Sequence, residues 1–375
     1  MLKKNFYKYI ILILFSVNIL FSSNDNRNIN NLNKIISKAN YAEDVFNVDK
    51  INLKVPIEHD YGYLSVIHML KDRRILLCYY KGSEILMFDS TGNFIKTIGR
   101  RGRGPGEFEE PWHIAELGNI IVVGDNTLRK LTFFDKGMKF LFSRTTKHEI
   151  NGLSSINGDF FVANDYMTAK WRKHHDIYVY DKQGKVRRKF GKLLHAGKEL
   201  RKIPHMPQGP HVVCSSGYIF QTDYCDYEIQ KYDINGDLIK IFGEKPKGWK
   251  SLLTTNYKRF SPSMGFGALE KYWPEFNKCS MVNWISTSGS RYILSCISLK
   301  GDHGKQLIAV YNSDGELINP GLKIKTLLQA EEPHDIGLMP VQKQGFCLAY
   351  DNLYSQVNDK KGSYIIIKVL VYSLR

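Results

Sequence analysis

Cysteine is scarce in this chain and poorly spaced for metal or redox work. There are six in 375 residues, with no Cys-x-x-Cys pair, which excludes a zinc ribbon and a thioredoxin-type centre. Cys78, Cys296 and Cys347 lie inside apolar runs and read as buried small hydrophobes. Cys214 and Cys225 flank one strand, which leaves open a disulfide or two thiols. Neither a His-Glu-x-x-His sequence nor a Gly-x-Ser-x-Gly elbow occurs, so no zinc-protease or hydrolase nucleophile is signalled. No apolar run reaches the roughly 20 residues that a membrane-spanning helix needs. Acids are the minority, 37 Asp+Glu against 53 Lys+Arg, a formal net charge of +16. Hydrophobic residues at 43% and aromatics at 13% exclude a disordered polymer, a collagen and a multispanning membrane protein.

What is present begins with an address. Lys3, Lys4 and Lys8 precede the apolar run Tyr9–Phe21, and Ser22-Ser23-Asn24 follows. A basic start, about a dozen apolar residues and a small-residue exit predict a signal peptide over 1–23, with a retained anchor as the alternative. The chain is therefore expected to be exported: periplasmic, extracellular or on the cell surface, with no membrane span after signal removal. Residues 24–44 are polar and Asn-rich and read as a linker.

From there on the sequence repeats. Glu84–Phe88, Lys130–Phe134, Asp176–Tyr180, Glu228–Tyr232, Leu307–Tyr311 and Ile366–Tyr372 are strand patterns that end in an aromatic. In the first five, Asp or Asn and then Gly follow within a few residues, the signal of a hairpin turn. The aromatics at 88, 134, 180, 232, 311 and 372 are spaced by 46, 46, 52, 79 and 61. A further strand precedes each, a shorter one precedes that, and a fourth follows the hairpin. Four short antiparallel strands repeated every 45–80 residues describe the blades of a propeller. The reading is all-β: a six-bladed β-propeller of four-stranded antiparallel blades over residues 45–375, with insertions at 192–209 and 244–280. The sixth unit ends after its third strand, and the alternating stretch Val48–Val55 stands unclaimed. Pairing it with Ile365–Tyr372 completes the last blade, closes the ring and removes a free edge.

The stretch Ile98-Gly99-Arg100-Arg101-Gly102-Arg103-Gly104-Pro105-Gly106-Glu107-Phe108-Glu109-Glu110-Pro111, running on through Trp112 and His113 to Gly118-Asn119 and Asp125, resembles an NHL-type repeat. The chain is most similar to the exported bacterial six-bladed propellers built from such repeats. The full Gly-Pro-Gly-Glu-Phe form occurs once. Members of that fold include scaffolds, RNA-binding modules, sugar lactonases and a peptide-amidating lyase, so the resemblance implies a fold and leaves function open.

Two sets of residues are candidates for a site. The first is the loop Gly99–Pro111 with the 244–280 insertion, contributing Arg100, Arg101, Arg103, Trp112, Trp249, Tyr272 and Trp273. The insertion reads either as a lid with aromatic contacts or as a small satellite core. Basic clusters at 100–103, 170–175 and 185–189 favour anionic partners or form a solvated surface. Export argues against nucleic acid and leaves lipid headgroups and acidic polysaccharides as the available anions; the expected partner is a protein, peptide or glycan. The second set comes from counting back twelve residues from the close of each second strand. Asp125, Asp223 and Tyr80 then give His113, His211 and His68, and His334 lies five residues further upstream in unit six. His113, His211 and His334 belong to alternate blades, the arrangement of a three-imidazole zinc or calcium site on the axis, and the amidating lyases of this fold resemble it in using a central histidine-bound metal. The favoured expectation is a monomeric, non-enzymatic binder without a cofactor. The alternative is a metal-dependent lyase or hydrolase.

Overall fold

The computed structural model describes residues 26–56, 64–79, 82–150, 152–156, 158–164, 177–191, 211–222, 227–251, 278–299, 306–325, 336–341, 345–359 and 362–375. Its strands form six four-stranded antiparallel sheets. Blade one is β2 (Leu64–Met69), β3 (Ile75–Tyr79), β4 (Glu84–Phe88) and β5 (Phe94–Ile98). Blade two is β6 (Pro111–Leu117), β7 (Ile120–Asp125), β8 (Lys130–Asp135) and β9 (Phe140–Thr145). Blade three is β10 (Gly152–Ser155), β11 (Phe160–Asn164), β12 (Ile177–Asp181) and β13 (Val186–Phe190). Blade four is β14 (His211–Ser215), β15 (Tyr218–Thr222), β16 (Ile229–Tyr232) and β17 (Leu238–Phe242). Blade five is β18 (Met281–Ser288), β19 (Tyr292–Ser298), β20 (Gln306–Asn312) and β21 (Leu317–Leu322). Blade six takes β22 (Ile336–Val341), β23 (Gly345–Asp359) and β24 (Gly362–Leu374) from the end of the chain and β1 (Phe46–Pro56) from its beginning.

The first strand of each blade touches the first strands of both neighbours, from β2 through β6, β10, β14, β18 and β22 back to β2. The ring is closed. Each sheet buries both faces against adjacent sheets, so the middle strands read as unbroken apolar runs instead of alternating ones. All of Ile75–Tyr79, Ile177–Asp181 and Tyr292–Ser298 is buried. The core is accordingly divided into inter-blade layers. One joins Ile85 and Ile98 of blade one, with Phe108 of the link that follows, to Ile114, Ile121 and Phe134 of blade two. Another joins Ile51, Leu53 and Val55 to Ile67, Leu86 and Phe88 across the closure. The closure has the expected register, with Ile51 opposite Val369 and Val55 opposite Ile365.

The Asp–Gly turns share one local design. The Oδ1 of Asp89, Asp135, Asp181 and Asp233, and of Asn312, accepts a backbone N–H four residues on. The residue three positions after the Asp or Asn takes a positive φ: Gly92, Gly184, Gly236 and Gly315, at 90°, 71°, 93° and 78°. Blade two departs from this. Its glycine is Gly137, one residue early, and the buried Met138 takes the positive φ, 59°, instead.

Two elements differ from the sequence reading. Asn26–Lys38, read as a polar linker, is a helix, α1, lying on β21. Ile36 is fully buried against Trp284, Leu322 and Ile324, with Leu32 packed beside it. Asn319 Nδ2 donates to the carbonyls of Ile36 and Ala39, and Tyr292 Oη donates to Asn33 Oδ1. The second difference is in blade six, where β23 and β24 run past Asp351 as a long hairpin whose arms meet at Asp359 and Gly362. Cys214 is buried, its Sγ 3.9 Å from the carbonyl of Ser154.

Candidate functional site

Strand direction sorts the connections onto two faces. The turns between first and second strands, and between third and fourth, share one face. Those described on it are short, such as Gly118-Asn119 and Ser216-Gly217. Links from an outer strand to the next inner strand, and those between second and third strands, share the other. That second face receives the Gly99–Pro111 loop, both ends of the 244–280 insertion and the long β23–β24 hairpin. Residues 192–209 and 252–277, with Tyr272 and Trp273, lie outside the described residues.

The Gly99–Pro111 loop folds back on itself. Gly102 N–H donates to the Phe108 carbonyl and Phe108 N–H to the Arg100 carbonyl, each at 2.9 Å. Phe108 is fully buried beside Phe134, with ring centroids 6.1 Å apart. Gly99 has φ of 80°, and a Cβ there would come within 2.5 Å of the Phe108 ring, so only glycine lets the ring seat. The Asp that closes the second strand then acts as a clamp. Asp125, fully buried, accepts N–H bonds from Glu109 at 2.7 Å, Glu110 at 3.1 Å and Leu128 at 2.9 Å. Lys130 reaches beneath the loop and donates to the Glu107 carbonyl at 2.7 Å. Burial lowers the Lys130 pKa, and Asp125, Glu107 and Glu109 oppose that shift.

Two of the three arginines are paired within the loop. Arg100 Nε meets Glu107 Oε1 at 2.8 Å and Arg103 Nε meets Glu109 Oε1 at 3.0 Å, while the guanidinium side chains stay 81% and 80% exposed. The Gly104 N–H and then Arg100 hold the Glu107 carboxyl below its usual range. Among the described residues the Arg101 side chain makes a long contact, Nε to Ser83 Oγ at 3.4 Å. Such exposed pairs are worth little stability, but they set the loop's charge: three arginines face three glutamates on one short loop. Further bonds lace the neighbouring links together. Ser83 Oγ donates to the Glu109 carbonyl, Thr127 Oγ1 to Glu110 Oε2, and Ile150 N–H to Asn126 Oδ1. Beyond them His148 is buried and stacked on Tyr178 at 3.7 Å. Its Nδ1 donates to the Glu149 carbonyl at 2.7 Å, and its Nε2 shares a hydrogen bond of 2.5 Å with Tyr180 Oη. The sequence reading passed over this histidine because the tyrosines it meets, Tyr178 and Tyr180, lie about thirty residues on, in β12.

Trp249, at the start of the second insertion, stacks on Tyr227 at 5.5 Å and packs with the layer between blades four and five. Tyr311 Oη donates to Tyr227 Oη at 2.8 Å and accepts the Glu244 N–H at 3.2 Å. The insertion's two ends meet: Ser280 N–H donates to the Lys250 carbonyl and Lys250 N–H to Ser280 Oγ. Its described stem is thus packed as a satellite of the core.

The inner-strand histidines separate. A bulge in β6 at Trp112 sets His113 opposite Gly124, and His211 lies opposite Thr222. Both positions face the residue before the strand-closing Asp, so blades two and four correspond. His68 does not correspond. The hairpin between β2 and β3 spans residues 70–74, longer than Gly118-Asn119, and His68 falls opposite Leu76, one pair from the hairpin. It is buried, and burial lowers its pKa to about 4. Trp112 and His113 are half-buried, their rings 6.4 Å apart. His334 lies outside the described residues. Among the described residues no three His, Cys, Asp or Glu side chains converge as a metal-holding group, and no helix is long and apolar enough to cross a membrane.

Compared with known proteins, residues 21–159 match a family described as a 6-bladed beta-propeller. No curated protein matches the chain. Among solved structures, one described as an exported protein of Bacteroides fragilis is 14% identical, with 88% of this chain and 96% of that one covered and a TM-score of 0.61. A Bacteroides vulgatus protein is 10% identical over 88% of this chain and 99% of its own, with a TM-score of 0.56. At these identities the likeness is one of fold.

Proposed function

We propose that this propeller is an exported, non-enzymatic scaffold that binds a protein, peptide or glycan on the face carrying the Gly99–Pro111 loop and the 244–280 insertion. The observation behind this reading is the asymmetry of the two faces. One carries tight turns. The other collects the long links, the stem clasped at Lys250 and Ser280, and the hairpin of blade six. Long connections on a rigid scaffold are where recognition is placed. Arg101, exposed and without a carboxylate partner among the described residues, and Trp112 are the contacts the loop offers. The Gly99–Pro111 unit supports assignment to the NHL type, and the B. fragilis likeness supports export. The test replaces residues 252–277 by a short Gly-Ser link, which the meeting of Lys250 and Ser280 permits. Wild type is expected to retain ligands from a glycan and peptide panel that the shortened chain releases, at unchanged melting temperature. Equal retention by both chains, or none by wild type, rejects the reading.

The matching places of His113 and His211 on alternate inner strands favour one second reading, a zinc- or calcium-dependent lyase or hydrolase with His334 as the third ligand. Elemental analysis separates the two. That reading requires one metal equivalent in wild type, lost in His211→Ala.

A further inference from the structure

The face of long links accounts for the insertions but not for the rim. The outermost strands β5, β9, β13 and β17 carry Lys96, Arg144, Arg187, Arg188, Lys189 and Lys240, and no acidic residue. Each also exposes large aliphatic side chains: Ile95, Leu141 and Val186 on the first three, and Leu238, Ile239 and Ile241 on β17, at 48%, 54% and 49%. The other two rims are different. Helix α1 lies over β21, and β1 includes Asp49.

The two kinds of side chain come together at blades three and four. Val186 through Lys189 are all exposed on β13. Asp181 neutralises Arg187 at 2.6 Å, whereas Arg188 and Lys189 have no carboxylate partner among the described residues. The next rim strand, β17, holds the three aliphatics. The blades are in contact there, since a Cβ on Gly236, in the turn leading to β17, would come within 2.6 Å of the Phe190 ring of β13. A row of cations therefore runs beside a row of branched aliphatics. The acid closest in sequence to β17 is Asp237, at the turn.

Protection of free edges explains lysine and arginine on β13, because charge deters strand pairing. It does not explain β17, where the same logic would remove the aliphatics. A hydrated polyanion would satisfy the cations and leave the aliphatics in water. An apolar protein partner would cover the aliphatics and strip water from Arg188 and Lys189 without compensation. An anionic lipid surface suits both rows, with phosphates at headgroup depth and an apolar boundary just below. We propose that the rim of blades three and four is a peripheral docking surface for membranes rich in anionic phospholipid, with β13 meeting the headgroups and β17 entering the boundary. The rim is convex, so a flat bilayer meets these two strands while the rest of the ring stays in water. The site is separate from the face of long links and does not depend on what binds there.

Sedimentation with vesicles of phosphatidylcholine, with and without phosphatidylglycerol, tests this on the full chain. Every variant keeps residues 1–25, so whatever they contribute cancels. Wild type is expected to prefer the anionic vesicles, and Arg188→Ala with Lys189→Ala to lower that partitioning about fivefold per cation removed. Ile239→Ser with Ile241→Ser should lower it further at the same salt dependence. All four residues are exposed, so melting temperatures should hold; should the alanine pair fail to fold, Arg188→Gln with Lys189→Gln repeats the measurement. Vesicle binding equal to wild type in both pairs overturns the proposal. So does loss of polyglutamate binding with vesicle binding intact, which would assign the surface to an acidic polymer.

Discussion

A neutral imidazole sealed inside blade one ties the stability of the ring to pH. His68 is 5% exposed, and burial lowers its pKa from 6.5 to about 4. The unfolded chain therefore takes up a proton that the folded chain refuses. The contribution is fully present above about pH 6.5, declines as pH falls, and is exhausted near pH 4, a swing of up to about 3 kcal/mol at roughly 1.4 kcal/mol per pKa unit. Urea titrations between pH 7 and 4 should show this acid limb in wild type and a flatter one in His68→Phe. An unchanged limb would place the acid sensitivity elsewhere. His68 also shows why single residues were hard to place from sequence. Counting back twelve residues assumes equal hairpins, and a longer turn at 70–74 moved it off the matching position while His113 and His211 held theirs. The pairing of Arg100 with Glu107 and of Arg103 with Glu109 was hidden for a related reason. It depends on a fold-back around Phe108 that no local periodicity reports.

Among elements, the strands were legible because each carries its own signal: an apolar run, an aromatic close and an Asp–Gly turn. Helix α1 carries little. Its sequence, NRNINNLNKIISK, is rich in asparagine, a poor helix former, and what holds it is the outer strand of blade five. Tertiary burial of Ile36 and Leu32, with the Asn319 bonds, outweighs propensity here. Ile36→Asp should place a charge against Trp284 and Leu322 and cost several kcal/mol. Amide exchange would speed up in β21 first, and a loss spread evenly over all blades would contradict the local docking seen here. The long hairpin of blade six was missed for the opposite reason. Residues 352–359 are mostly polar and look like a loop, and the strand character of their end comes from pairing across the hairpin, Gln356 with Ile365 and Asp359 with Gly362.

At the scale of the whole molecule, six inter-blade layers mean that no blade has a private core. Leu53 is fully buried in the layer shared by blades six and one. Leu53→Ala should cost about 2–5 kcal/mol, against no more than about 0.5 kcal/mol for the exposed Lys50→Ala. Because the ring is closed, the loss is expected as a shift of one cooperative transition measured by circular dichroism in urea. A separate early transition for blade six would mean that the ring tolerates an opening. The pairing of Ile51 with Val369 also fixes a sequence in time. During synthesis the earlier strand emerges hundreds of residues before its partner, and it must wait unpaired while five blades are made. The ring therefore cannot close before β24 has been made. Until then the growing chain is an open arc, and the strand that begins the fold is among the last to find its partner.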